Sequence, residues 1–494
     1  MKRMVPVLAL CCVAAQCGGP PQQGVSSDFR IDQAGERDSV DSHSTRMCVA
    51  PDGTTYVVWV DDRTGFPNVW MNRKLPVEGR DQGWLPAAIQ VNQFGDSNVW
   101  NPDVACDSNG LVYIVWEDDR DGEVESHQIY FQVSSDQGTN WLPEDRLLEN
   151  DTDGRSNSFN PRIVTSDPKV YVVWSDNLNG AFDILMAQSF NRGLEWAPPV
   201  RVDSDLPGSA WSAFPQIALN GPDQLFVVWE DFRGGAAGVA AGSDVWFSRS
   251  TDGGLSFPSD IRIDTTDAEG ANNSFVPKIG ADGGNIYIAW HDDRNGEAND
   301  VYMAYSGDAG VSFGPDQRAD STDSAGFNQS LYPDVCVSGN KGHVAWHDAR
   351  PGGFYRIWYN NAVAGNWQQA EFQLDDHKQE GERASLDVRL SCAGDQVAAA
   401  WLDQVADEAD LGFNDIYYDY SLSGGDQASW TSNDRLRVDS VGKGTAFKTD
   451  LNFEIRDGMI EAAWTDGRNG TTDVFFQQFE AGTEMNQLLV VPNP

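Results

Sequence analysis

One short pattern of apolar and polar positions recurs along the whole chain. It consists of two or three apolar residues, a tryptophan, one variable residue and an aspartate, as in Tyr-Val-Val-Trp-Val-Asp. Neighbouring copies lie 55 to 63 residues apart, and self-similarity at such a period predicts a repeat architecture. The repeat tryptophans are Trp59, Trp116, Trp174, Trp229, Trp290, Trp346, Trp401 and Trp464.

Each unit contains four short stretches with strand character, separated by clusters of Gly, Asp, Asn, Ser and Pro. In the second unit they cover residues 103–106, 111–116, 128–134 and 141–148. The second stretch is continuously apolar, as expected of a strand covered on both faces, and no segment has the apolar period of a helix. We therefore predict an all-β fold, an eight-bladed β-propeller of four-stranded antiparallel blades.

The two ends of the repeat region predict how the ring closes. The eighth unit supplies only three strands, while the tetrad Phe-Arg-Ile-Asp at 29–32 repeats the fourth-strand ending Ile-Arg-Ile-Asp at 261–264. We expect residues 28–32 to complete the eighth blade, so that the N-terminal strand closes the propeller. The propeller is thus predicted to cover residues 28–482, followed by a C-terminal tail at 483–494.

The N-terminus has the features of an export signal. Lys2 and Arg3 precede an apolar run at 5–15 that is shorter than a membrane-spanning helix. Cleavage after Ala15 suits an ordinary signal peptidase, whereas Cys17, followed by Gly and Pro, resembles a lipoprotein cysteine. We predict a leader at 1–17 with lipidation at Cys17, a flexible tether at 18–27 and a place at the cell envelope, with an extracellular protein as the alternative.

The net charge of the chain indicates which classes of partner it can bind. The net charge is -41, from 34 basic and 75 acidic residues, which disfavours nucleic acid because phosphate binding needs the opposite sign. No later segment is apolar enough to cross a membrane, so we expect membrane contact only through the lipid anchor. We expect a monomer whose only candidate cofactor is Ca²⁺.

Four cysteines lie beyond the leader, an even number in a chain that we expect to reach an oxidising compartment. Cys48 and Cys106 end the first stretches of units one and two, and Cys336 and Cys392 end those of units six and seven. Two interblade disulfides are one prediction. Four buried free cysteines, packed as small apolar residues, are the alternative.

The turn after the third stretch carries the motif Ser-x-Asp-x-Gly-x-x-aromatic. Its full copies are Ser134, Asp136, Gly138 and Trp141; Ser250, Asp252, Gly254 and Phe257; and Ser306, Asp308, Gly310 and Phe313. A degenerate copy covers 189–196. The motif resembles the Asp-box, or bacterial neuraminidase repeat, of sialidase-like β-propellers. Because Asp can bind turn amides, Gly permits positive φ and the aromatic ring can pack beneath the turn, we interpret it as a folding device.

This resemblance implies where a ligand would bind. Related sialidases hold a sugar carboxylate with three arginines and use a tyrosine nucleophile beside a glutamate, with an aspartate as acid/base, on the face opposite the Asp-box turns. Candidate arginines follow a repeat tryptophan by four residues: Arg63, Arg120, Arg233, Arg294, Arg350 and Arg468. Aspartates follow every repeat tryptophan by two residues, and the binding-face candidates among them are Asp61, Asp118, Asp231, Asp292 and Asp348.

These Asp/Arg turns permit two interpretations. In the first, the aspartate accepts turn amides and pairs with the arginine; in the second, the turns line a polar mouth. Catalytic groups are needed once, whereas these residues recur in most units, and the sequence identifies no Tyr–Glu pair. We therefore favour the first interpretation, and we also interpret the tetrad at 29–32 as structural, although it resembles the arginine motif that opens sialidase domains.

Other candidates lie in or near the interblade loops. Trp100 and Trp211 are expected to lie in these loops, where an exposed Trp could stack on a sugar, with packing as the alternative. Asp151 and Asp153 alternate like ligands of a calcium loop, although the completing Glu is missing and a solvated turn is the alternative. His291 and His347 could share a metal, but the sequence shows no third ligand.

Together these observations favour an exported, non-catalytic, sialidase-like propeller that binds glycan or protein at the cell envelope. The first alternative is a sialidase-like exo-glycoside hydrolase whose arginines and carboxylates converge only in the folded chain. The second is a calcium-stabilised structural scaffold.

Overall fold

The computed structural model describes fourteen stretches of the chain. They are residues 29–32, 40–77, 82–107, 109–120, 126–149, 155–234, 242–296, 298–350, 353–375, 384–404, 414–431, 436–438, 448–467 and 471–481. The leader with Cys17, the tether, the C-terminal tail, Asp151, Asp153 and Arg468 lie outside them. The sole helical element among these residues is a 3-10 turn at Gln427–Ser429.

Eight antiparallel sheets form a β-propeller, as the sequence predicts, and each sheet is one blade. The first strands, which contact one another in a closed circle around the axis, are Ser42–Val49, Val99–Cys106, Ser158–Ser166, Ser212–Asn220, Ser274–Asp282, Ser330–Ser338, Ser385–Ala393 and Lys448–Arg456. The second strands are Thr55–Asp61, Val112–Asp118, Lys169–Asp176, Gln224–Asp231, Asn285–Asp292, Lys341–Asp348, Gln396–Gln404 and Met459–Asp466.

The third and fourth strands lie progressively farther from the axis. The third strands are Asn68–Lys74, Gln128–Ser134, Asp183–Ser189, Asp244–Ser250, Asp300–Ser306, Arg356–Val363, Asn414–Ser421 and Asp473–Glu480. The fourth strands of blades one to seven are Ile89–Gln90, Arg146–Leu147, Val200–Arg201, Asp260–Arg262, Gln317–Arg318, Phe372–Gln373 and Leu436–Arg437. Blade six has an additional outer strand at Asn366–Trp367.

Ring closure uses both ends of the described chain. Phe29–Arg30 pairs antiparallel with Asp473–Glu480 and becomes the fourth strand of blade eight. Arg30 bonds Asp32, and its Nη2 lies 2.6 Å from the Asp473 carboxylate. The tetrad at 29–32 therefore acts in closure, which is the structural role expected for it.

Two strand boundaries predicted for the second unit were wrong. The fourth strand covers only Arg146–Leu147 instead of 141–148, because the preceding residues form the turn and Asp145 turns its carboxylate toward neighbouring loops. The first strand begins at Val99 instead of 103, because it continues through a bulge that breaks the alternation of buried and exposed positions.

The same bulge occurs in every first strand. One non-glycine residue there has φ between 45° and 58°, and the pairing with the second strand shifts at that point. We call these residues the rim positions because they lie near the start of the innermost strand: Ser44, Asn101, Asn160, Phe214, Val276, Tyr332, Asp387 and Asp450. A left-handed conformation is costly for a β-branched residue such as Val276, so the packing around it must hold the bulge in place.

The core consists of apolar layers between neighbouring blades. All eight repeat tryptophans are completely buried, and each packs in a cluster built from adjacent blades. Disulfides also join neighbours: Cys48 bonds Cys106 between blades one and two, and Cys336 bonds Cys392 between blades six and seven. Their Cα atoms are 6.2 and 5.9 Å apart, so first strands of adjacent blades are close enough for a bridge.

Strand direction assigns each turn to one face of the propeller. First strands start, and second strands end, on the face that also carries the Asp/Arg turns, which we call the mouth face. The Ser-x-Asp-x-Gly turns connect third to fourth strands and lie on the opposite face.

Candidate functional site

The Asp/Arg turns on the mouth face are tightly bonded within each blade. In blade five, Asp292 accepts the Trp290 indole N–H at 3.2 Å and the backbone N–H of Arg294 at 2.8 Å. Corresponding indole bonds form in blades one, two, four, six and eight. In the two blades without arginine at this position, the described indoles of Trp174 and Trp401 have no hydrogen-bond partner. The arginine therefore helps to orient the aspartate toward the buried tryptophan.

Each of four arginines also binds a second carboxylate. Arg294 Nη1 lies 2.5 Å from Asp316, and Arg120, Arg233 and Arg350 bind Asp145, Asp260 and Glu371 in the same way. This second acid accepts a backbone N–H from the interblade loop of the preceding blade, as Asp316 does from Thr266. The arginines thus connect one blade to its neighbour.

The guanidinium planes are covered as well. Their central carbons lie 4.0 to 4.1 Å from the ring centres of Trp70, Tyr130, Trp246, Tyr302 and Trp358 in the third strands. Burial alone would lower the pKa of Arg294, but the hydrogen bond and charge of Asp292, with the charge of Asp316, raise it. The sequence placed Arg63, Arg120, Arg233, Arg294 and Arg350 as candidates for a carboxylate clamp, and the structure places each one on a carboxylate of its own chain.

Two clusters of carboxylates near the ends of the fourth strands are also paired with arginines of the chain. Asp183, Asp203 and Asp205 lie close enough to share a cation, as do Asp244, Asp264 and Asp267. In each cluster an arginine lies among the carboxylates: Arg201 in the first and Arg262 in the second. Burial raises the pKa of Asp244 to about 7 and that of Asp203 to about 8. In both clusters, the arginine therefore occupies the place among the carboxylates that a bound cation would take.

A different set of polar residues lies inside the innermost strands. Every first strand has one polar residue two positions after its rim position, opposite the residue that precedes the repeat tryptophan. We call this set the axial ring: Arg46, Asp103, Arg162, Gln216, Lys278, Asp334, Arg389 and Asn452. Basic residues occupy the odd-numbered blades, and acids or amides occupy the even-numbered blades.

The charges of the axial ring influence one another across the axis. Burial and, to a smaller extent, the charges of Arg389, Arg162 and Arg46 lower the pKa of Lys278 to about 8 against the attraction of Asp334. Arg46 belongs to the blade opposite that of Lys278, and its charge still lowers the pKa of Lys278, as expected of two side chains on innermost strands around one axis. The pKa of Arg46 is lowered by burial and by Arg162.

In blades two, four, five and six, the residue after the repeat tryptophan connects the mouth face of one blade to the rim of the next. Glu117 accepts the backbone N–H of Asn160 at 2.6 Å, and Glu230 that of Val276 at 2.6 Å. In blades five and six histidines take this role: His291 Nδ1 lies 3.4 Å from the N–H of Tyr332, and His347 Nδ1 lies 3.4 Å from that of Asp387. Burial lowers the pKa of both histidines to about 4. Neutral imidazoles that hold the bulges explain these residues without a shared metal.

Aromatic side chains form a continuous track on the mouth face of blades two to four. Successive ring centres are 4.4, 4.8, 5.7, 5.5 and 6.4 Å apart. The aromatic track consists of Trp100, His127, Phe159, Phe182, Trp211 and Phe232. Trp211 is 54% exposed, and the neighbouring rim residue Phe214 is 50% exposed. Trp100 is half-buried in the first strand of blade two and is not in a loop, contrary to the expectation from the sequence.

Below the axial ring, the axis widens into a cavity of about 380 Å³. Its lining comes from the first strands of blades eight, one, two, three and four and includes the Cys48–Cys106 disulfide and Glu454. Burial raises the pKa of Glu454 to about 7.

The Ser-x-Asp-x-Gly turns on the opposite face share one hydrogen-bond pattern. In the copy at 306–313, Ser306 Oγ accepts the Gly310 N–H at 3.0 Å, and Asp308 accepts the Ser312 N–H at 2.9 Å. Side-chain and backbone donors of Ser312 lower the pKa of Asp308 to about 2. Phe313 then packs edge-on against Phe247 of the preceding blade at 4.9 Å. These contacts are those of a folding device.

The sequence reasoning missed the axial ring and the rim positions. A signal for the ring was present, because each first strand has a polar residue at the same position, and in five units it directly follows a proline. That residue changes type between units, however, so a search for repeated residue types passes over it.

Comparisons with known proteins give no family. No family model matches the chain, and no curated protein matches it. Similar solved structures include an arabinanase from Penicillium chrysogenum in complex with arabinobiose, 16% identical over 61% of this chain and 87% of that one, with a TM-score of 0.39. A polysaccharide lyase is 11% identical over 82% of this chain and 94% of that one, with a TM-score of 0.48. A Hadza microbial sialidase is 13% identical over 75% of this chain and 76% of that one, with a TM-score of 0.39. Likenesses at this level carry no argument about activity.

Proposed function

We propose that this chain is an exported, non-catalytic propeller that binds glycan at the cell envelope through its mouth face. The aromatic track is the observation that carries the proposal. Aromatic rings offer flat apolar surfaces on which sugar rings can stack, and here six of them cross three blades next to the opening of the axis. The mouth face also carries the interblade loops, where binding residues can vary without disturbing the blades.

The non-catalytic part of the proposal rests on how the repeated polar residues are used. The described arginines of the Asp/Arg turns are held by carboxylates and aromatic rings, so they are poorly suited to bind a substrate carboxylate. His291 and His347 serve as neutral acceptors between blades. The resemblance of the Ser-x-Asp-x-Gly turns to the Asp-box of sialidase-like propellers supports the fold relationship, and a shared fold does not carry activity with it.

Calorimetric titration with a panel of soluble polysaccharides tests glycan binding. Removing an exposed stacking surface from a binding site should weaken the affinity about tenfold or more, so we expect this loss for Trp211→Ala. Phe190→Ala is the matched control, because Phe190 is 44% exposed but lies in a turn on the opposite face. Equal effects of the two substitutions, or no binding to any polysaccharide, would contradict the proposal.

A separate assay addresses catalysis. Fluorogenic sialosides and other aryl glycosides, incubated with and without Ca²⁺, should give no turnover. Turnover that a single arginine substitution abolishes would show instead that the chain is a glycoside hydrolase.

A further inference from the structure

We propose that the axial ring is an anion site, in which Arg46, Arg162 and Lys278 bind a carboxylate or sulfate group of an acidic saccharide. The inference rests on the proposed function for the saccharide part of the ligand, but the ring itself can be tested with a free anion.

The first step is that these three cations converge. They occupy the same position of the innermost strand in blades one, three and five, opposite the residue before the repeat tryptophan. Innermost strands surround the axis, and the charges of both arginines lower the pKa of Lys278. The three side chains therefore share one opening at the centre of the mouth face.

The second step is that no described carboxylate is in contact with these three cations, although the charges of Asp103 and Asp450 attract Arg46 and that of Asp334 attracts Lys278. Arg46 and Arg162 each donate one hydrogen bond at 2.9 Å to the carbonyl of the residue before them, Thr45 and Pro161. Neither arginine forms an ion pair with a described residue, and Lys278 forms neither an ion pair nor a hydrogen bond there. Arg389, the fourth cation of the ring, is different, because its Nη2 lies 3.4 Å from Asp387.

The acids of the ring do not neutralise these cations by contact. Asp103 accepts the backbone N–H of Ile163 at 3.0 Å, and Asp334 accepts that of Leu390 at 2.8 Å. Each carboxylate therefore connects its own blade to the next. The ring positions themselves carry four cations and two carboxylates, and of the two rim carboxylates Asp387 pairs with Arg389 while Asp450 accepts the Ser44 N–H.

The third step concerns the class of ligand. Like charges that approach in a partly buried place repel one another, and an anion that enters between them relieves this repulsion. Guanidinium groups match the geometry of carboxylate and sulfate oxygens, and a lysine adds a point charge. Each first strand carries its track or rim residue two or three positions before its ring residue, roughly 7 to 10 Å along the strand, which is about the reach of one or two sugar units.

The experiment compares polymers that share a backbone. Affinities of the full chain for dextran and dextran sulfate, and for methyl-esterified and free polygalacturonate, separate the saccharide from its acidic group and sulfate from carboxylate. Thermal unfolding in sodium sulfate and in sodium chloride at equal ionic strength tests the ring with the anion alone. We expect the acidic polymers to bind at least tenfold more tightly. Because sulfate stabilises folded proteins in general, we expect it to raise the Tm over that in chloride by more for the natural chain than for Arg162→Gln.

Variants then locate the effect. Arg162→Gln should remove most of the preference for acidic polymers and the effect of sulfate, while Arg192→Gln, at an exposed arginine of the opposite face, should change neither. Asp103→Asn keeps an oxygen acceptor for Ile163 and removes one negative charge, so it should strengthen anion binding; this variant serves even if Arg162→Gln does not fold.

The outcomes separate this inference from the proposed function. Equal binding of neutral and acidic polymers, with no specific effect of sulfate, would overturn the anion site and leave glycan binding intact. A sulfate effect that Arg162→Gln abolishes, without binding of any polymer, would support the anion site and overturn glycan binding. An anion preference that Arg192→Gln reduces as much as Arg162→Gln does would overturn the ring as its location.

Discussion

Two sets of basic residues repeat around this propeller, and they differ in what surrounds them. Arginines of the Asp/Arg turns lie between two carboxylates and over an aromatic ring, as Arg294 does between Asp292 and Asp316 above Tyr302. In the axial ring, the like charges of Arg46 and Arg162 lower the pKa of Lys278, and none of these three cations forms an ion pair with a described residue. One set is bound by the scaffold, and the other is available to a ligand.

The difference between the two sets corresponds to two kinds of repetition along the sequence: in one the residue type repeats, and in the other only the position on the strand repeats. Asp/Arg turns repeat in residue type because six blades use the same bond from aspartate to tryptophan, and four use the same bond from arginine to the acid that holds the preceding loop. Ring positions repeat only in their place on the strand, while the residue changes from Arg to Asp, Gln, Lys or Asn. A fixed place with a variable side chain is therefore the better indicator of a binding site in this chain.

The largest expected effect comes from removing an arginine of the first set. Arg294→Gln leaves two completely buried carboxylates, Asp292 and Asp316, without their shared cation. Breaking a buried ion pair from one side costs about 3 to 5 kcal/mol of the free energy of unfolding. The midpoint of urea unfolding should fall accordingly, and a loss below about 1 kcal/mol would show that the turns are not scaffold.

A smaller effect is expected from the histidines that hold the rim. Because burial lowers the pKa of His291 and His347 to about 4, the unfolded chain, where histidine titrates near 6.5, binds more protons between these values. Their contribution to stability is complete above pH 6.5 and is lost as the pH falls toward 4. We expect about 3 kcal/mol for each histidine from the shift in pKa.

Unfolding in urea at several pH values measures this contribution. His291→Gln keeps a side-chain acceptor for the Tyr332 N–H but does not titrate, so the variant should lose less stability on acidification than the natural chain. His43→Gln is the control, because His43 is exposed on the first strand of blade one. Parallel pH profiles for the natural chain and His291→Gln would contradict a neutral histidine at the rim.

Much of this architecture could be predicted from the sequence. The repeat tryptophans gave the number of blades, and the tetrad at 29–32 predicted the closing strand, because both depend on residue types that local pairing and packing fix. The recurring aspartate and arginine were also recognised, with their pairing as the favoured interpretation. These features are local within one unit, so the unit reveals them.

The candidate site could not be predicted in the same way. Arg162 follows Arg46 by 116 residues and Lys278 follows Arg162 by another 116, and only closure of the ring brings them to one axis. Trp100 and Trp211 were recognised, but the track that connects them includes His127 and Phe182, from strands and loops of different units. The bulges at the rim were missed because residues as different as Ser44 and Val276 adopt the same positive φ, which their type does not predict.

The smallest expected effect comes from Arg162→Gln, which makes the same substitution in the axial ring as Arg294→Gln makes in the Asp/Arg turns. Arg162→Gln removes one of the like charges that depress the pKa of Lys278, and it leaves no carboxylate without an ion-pair partner among the described residues. Relief of repulsion in a partly buried place should leave the free energy of unfolding unchanged or raise it by about 1 kcal/mol. The urea midpoint measured beside that of Arg294→Gln checks this difference in sign. If Arg162→Gln destabilised the chain as strongly as Arg294→Gln does, the ring cations would belong to the scaffold, and the distinction between bound and available arginines would fail.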